Sequence, residues 1–108
     1  MLEVVERAKA AAVSAVPDRR GRARPLADAL FEFDAELQEA RALLSGWAEG
    51  DSSRAACEAG LAESLRRSEA LRMEAPDLGY ESLVARLAEL LDPLDAFEHA
   101  AHALLGRS

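Results

Sequence analysis

Seven positions, Leu26, Leu30, Phe33, Leu37, Ala40, Leu44 and Trp47, follow one another at steps of 4, 3, 4, 3, 4 and 3. On a helix that spacing draws one apolar seam about six turns long, which has to be buried against other helices. It predicts a helix from Pro25, well suited to a first turn, to about Ala48, with Gly50 as its stop.

The same reading places three more helices around it. Leu2 to Val16 puts Met1, Val5, Ala8, Ala12 and Ala15 or Val16 on one face, and Pro17 ends it. Asp51, Ser52 and Ser53 offer N-caps for a helix to about Ala75. That helix is the least amphipathic: its best stripe is Cys57, Leu61, Ser64, Ser68 and Leu71, with Leu65 beside it. Pro76, Asp77 and Gly79 make the next break. A last helix from Tyr80 or Ser82 turns Leu83, Val84, Leu87, Leu90, Leu91 and Leu94 inward, then Phe97, Ala101, Leu104 and Leu105, before Gly106. Proline within a helix costs about 3 kcal/mol, so a kink or restart is predicted at Asp92-Pro93. The expected fold is all-α: an antiparallel four-helix bundle with short loops, in one domain over residues 1–108. A three-helix bundle with a separate N-terminal arm is the alternative.

Composition supports helices and removes sheets. There is no Ile, Thr or Asn, the β-branched residues are valines alone, and Ala, Leu, Glu and Arg dominate. The net charge of −7 speaks against general binding to nucleic acid or anionic membrane. The longest stretch without a charged residue, Ala10 to Pro17, is far below a membrane span, and the acidic amphipathic start lacks the form of a signal peptide. With one cysteine, Cys57, no internal disulfide can form; a cytoplasmic location is the expectation.

Few positions offer chemistry. Glu98 and His102 are spaced to meet on the last helix, with Asp95 and His99 nearby, but no Glu-x-x-His motif occurs and neither a metal nor a cofactor is expected. No nucleophile elbow or phosphate-cradling glycine loop is present, and carboxylates such as Glu36 and Glu39 read as solvated helix faces; no enzyme is expected. Cys57 reads as a buried, inert thiol. The loop with Arg19, Arg20, Arg22 and Arg24 is a basic island on an acidic chain. It could meet phosphate or nucleic acid, or serve as a connector paired with acidic helix ends.

Leu83 to Leu91, with Asp95 and Glu98, resembles the closing helix of BAG domains, helical bundles that bind the ATPase domain of heat-shock chaperones. The likeness covers sixteen residues of leucine pattern. Where a basic residue and a glutamine are expected in that family, this chain has Tyr80 and Ala88, so no binding residue carries over.

The expected role is a non-enzymatic protein–protein interaction module, binding another protein or itself as a homodimer. A third helix too weakly apolar to cover the seam would leave Trp47, Leu61, Leu65 and Leu71 for a partner helix. Nucleic-acid or phosphate binding through the arginine loop is the alternative.

Overall fold

The computed structural model describes residues 2–46 and 52–105. Expectations resting on Met1, Trp47, Ala48, Gly50, Asp51 and Gly106 lie outside the described residues, as do those on the side chains of Leu104 and Leu105. Four α-helices follow in order: α1 (Leu2–Val13), α2 (Leu26–Leu44), α3 (Ser52–Glu74) and α4 (Tyr80–Leu105), with a 3₁₀ turn at Ala75–Asp77. Among the described residues there is no strand.

The helices run alternately up and down. Arg24 N–H donates to Ser14 O at 2.9 Å, bringing the end of α1 back to the start of α2. Arg7 of α1 meets Glu36 and Glu39 of α2, Arg72 of α3 meets Asp34 of α2, and Lys9 of α1 meets Glu98 of α4. The closest packing joins α1 to α2 and α3 to α4; α2 meets α3, and α1 meets α4, along narrower seams. The core is the predicted seam, Leu30, Phe33, Leu37, Ala40 and Leu44, facing Val5, Ala8 and Ala12 of α1 and Leu87, Leu90, Leu94 and Phe97 of α4.

Two helices end sooner than the apolar pattern predicts. α2 stops at Leu44 because Ser45 and Gly46 donate three residues back, to Ala42 O and Leu43 O, which tightens the last turn. α1 stops at Val13 in the same way: Ala15 and Val16 donate to Ala12 O and Val13 O, and Ser14 Oγ caps Ala11 O.

Of the kink or restart expected at Asp92-Pro93, the restart is absent: α4 runs through Pro93 as one helix. The reason lies on α3. Proline cannot donate to the carbonyl four residues earlier, that of Glu89. Arg67 Nη1 donates to Glu89 O at 2.6 Å instead, and Ser64 Oγ to Leu90 O at 2.9 Å. Gly60 makes that reach possible. A Cβ at this position would lie 2.9 Å from Pro93 O and 3.3 Å from Phe97 Cβ, so the backbones meet at the proline with no room between them. The polar, small-residue stripe that makes α3 look weak is thus fitted to the carbonyls of α4. Cys57, Gly60, Leu61, Ser64, Ser68 and Leu71 are all buried, the stripe read from the sequence with Gly60 added.

Candidate interaction surface

Helix lengths decide where the bundle stays open. At 1.5 Å per residue, the 12 residues of α1 span about 18 Å and the 26 of α4 about 39 Å. The first helix therefore covers less than half of the last. Two apolar recesses flank the N-terminal half of α4. Leu83 opens into a cleft of about 500 Å³ with Leu26, Ala27 and Leu30 of α2 and Ala75 and Pro76 of the 3₁₀ turn. On the other side, Val84, Leu87, Ala88 and Leu91 face Ala12, Val13 and Val16 across a groove of about 190 Å³. Large apolar side chains are also exposed in this half of the molecule: Phe31 at 75%, Tyr80 at 60% and Val13 at 54%.

The residues expected to meet a partner are placed otherwise. Leu61 and Leu71 are buried in the core, and Leu65 is half-buried against it. α3 does cover the seam, because Ser64 and Arg67 bond to α4, so a partner would reach Leu61 or Leu71 only by displacing α3. Trp47 lies outside the described residues. Sequence reasoning missed Phe31 and Val13. The signal for Phe31 was its position one step off the seam, beside Leu30, where a large aromatic has no core to enter.

The arginine loop is an ordered turn. Asp18 Oδ1 accepts from the N–H groups of Arg20 and Arg22, and Gly21 takes the left-handed conformation (φ +76°) that closes it. Arg22 pairs with Asp18 and Arg24 with Glu32 of α2, as in the connector reading. Among the described residues Arg19 and Arg20 form no ion pair, and all four arginines are exposed.

Glu98 and His102 do not come together. Glu98 is half-buried and takes the ammonium of Lys9, which also lies 3.9 Å from Asp95, while His99 and His102 are exposed. Among the described residues no three His, Cys, Asp or Glu side chains are grouped as metal ligands, and no helix is long and apolar enough to cross a membrane. The thiol of Cys57 is buried, with its sulfur 3.8 Å from Phe97 O.

One polar cluster lies inside the α2–α3 seam. Arg72 Nη2 bonds to Asp34 Oδ2 and, at 3.2 Å, to Leu30 O. Burial pushes the Asp34 carboxyl above its ordinary range, and Ser68 and Arg72 pull it back only in part. Asp34 Oδ1 and Ser68 Oγ are near one another, yet neither completes a well-formed hydrogen bond among the described residues. The folded state thus holds the Asp34 proton more tightly than the unfolded chain does. Its contribution favours folding in acid and is lost as pH rises through the raised value. Asp34→Asn, uncharged throughout, is expected to gain stability relative to the parent between about pH 4 and pH 7. Urea melts of both proteins across that window check this; a constant difference would mean that Arg72 fully offsets burial.

Searches of protein-family models, of curated proteins and of solved structures return no match to this chain.

Proposed function

We propose that this protein is a non-enzymatic interaction module that binds another protein through the N-terminal half of α4 and the helices beside it. One observation carries the reading: apolar recesses line both sides of this half-helix, and exposed Phe31, Tyr80 and Val13 lie in the same half of the bundle. Large exposed apolar surface on a small acidic protein is typical of a binding face, and aromatic side chains are frequent anchors at such faces.

Affinity capture from the source cell, at low and moderate salt, tests this. Three baits are compared: the parent protein, a Phe31→Glu/Tyr80→Glu variant at the exposed aromatic side chains of α2 and α4, and an Ala88→Arg variant at the α1–α4 groove. All three changes fall on exposed positions, so circular dichroism should report the same fold. The expected result is one protein recovered near stoichiometry at both salts and lost with at least one variant. Recovery of nothing above control, or of proteins that neither variant affects, would overturn the proposal. Nucleic acid released on raising the salt would favour Arg19 and Arg20 instead.

A further inference from the structure

On α4, Glu81, Val84, Ala88, Leu91 and Asp95 follow at steps of 3, 4, 3 and 4. They form a second stripe on that helix, apart from the core stripe of Leu87, Leu90 and Leu94. Its middle is apolar and borders the groove against Val13 and Val16 of α1; its two ends are carboxylates. Among the described residues Glu81 forms no ion pair, while Asp95 pairs with Lys9 at 3.9 Å. Lys9, one turn before Val13 on α1, is also held by Glu98.

We propose, building on the interaction-module reading, that the α1–α4 groove seats an amphipathic helix with basic residues at both ends of its apolar stripe. The argument is charge complementarity. An apolar trough with Glu81 at one end and, at the other, Asp95 and Glu98 sharing the single charge of Lys9 favours a partner that brings apolar side chains to the middle and cations to the ends. Glu81 and Asp95 are fourteen residues apart, about 21 Å along the helix, so the partner's cations lie about four turns apart. A second copy of this chain is a poor occupant: it carries the same −7 charge to a groove already acidic.

The test uses two labelled synthetic peptides of about five helical turns. Both carry a leucine stripe at 3/4 spacing; one has lysines at each end of the stripe, the other glutamates. Fluorescence anisotropy measures each against the parent protein, Ala88→Arg and a Glu81→Lys/Asp95→Lys variant. The lysine peptide is expected to bind the parent at least tenfold more tightly than the glutamate peptide. It should lose at least tenfold in affinity with Ala88→Arg, and the charge-reversed variant should exchange the preference. That gain for the glutamate peptide could not come from a carboxylate serving only the helix dipole. Equal binding of both peptides, indifference to the variants, or a homodimer in sedimentation that Ala88→Arg disrupts would each overturn the assignment. A captured partner lost only with Phe31→Glu/Tyr80→Glu would overturn it too, while leaving the interaction-module reading standing.

Discussion

Aspartate in place of Leu71 is expected to unfold the protein. Leu71 is 2% exposed and belongs to the central core. Losing its burial costs about 2 kcal/mol. Setting an unpartnered carboxylate there costs several more. Those losses compete with a total stability of about 5–15 kcal/mol for a domain of ordinary size. The far-ultraviolet circular dichroism signal should collapse and the cooperative thermal transition disappear. Leu65→Asp, at a half-buried position, should keep a cooperative transition with a loss of about 1–2 kcal/mol. This contrast decides what α3 is for. If Leu71→Asp stays helical and cooperative but loses a partner, α3 is an interface; if it unfolds, α3 is a wall of the core, as the burial of Leu61 and Leu71 indicates.

The second large effect is at Gly60. Leucine there would drive its Cβ to 2.9 Å from the Pro93 carbonyl oxygen, a backbone atom that cannot swing aside. α3 would have to lift from α4. The bonds from Ser64 to Leu90 O and from Arg67 to Glu89 O would stretch, and the carbonyl left by Pro93 would lose its donor. Overpacking costs about 1–3 kcal/mol at an ordinary core position, and the lost bonds add to it, so Gly60→Leu should be among the most damaging single changes in the chain. Gly60→Ala should also destabilise, even though alanine gains about 1 kcal/mol over glycine in a free helix. Gly79→Ala is the control, because a Cβ there meets nothing within 4 Å. Chemical denaturation of the three variants gives the order directly. A Gly60→Ala protein as stable as the parent would mean that the close approach at Pro93 is readily relaxed.

The bundle was readable from the chain because periodicity records burial. The seam of α2 is buried at Leu30, Phe33, Leu37, Ala40 and Leu44, and the α3 stripe from Cys57 to Leu71 emerged as read. What could not be read was pairing across helices. Pro93 looks like a break until Arg67, twenty-six positions earlier, is known to supply the missing donor. Leu61 and Leu71 looked available to a partner because serines beside them lower the apolar count, and a periodicity argument has no means of crediting a serine bonded to a neighbouring helix's carbonyl. Helix ends failed for a local reason: the 3₁₀-type bonds at Ser45 and Val16 leave no mark in an apolar pattern. The second stripe of α4 was present as spacing all along, and only the short reach of α1 turns it into a groove.

Lys9 is the chain's single lysine, and its amine lies between Glu98 and Asp95 where the first helix meets the last. An amine-directed reagent therefore has one side-chain target in the whole sequence, and that target is a tie between helices. Acylating it would leave two carboxylates facing each other with no counter-ion, at the edge of the groove. Routine amine coupling of a dye or a resin thus acts as a wedge in this protein. Thiol coupling at buried Cys57 would require the bundle to open, so reporters belong at newly introduced cysteines on the exposed turn around Gly21.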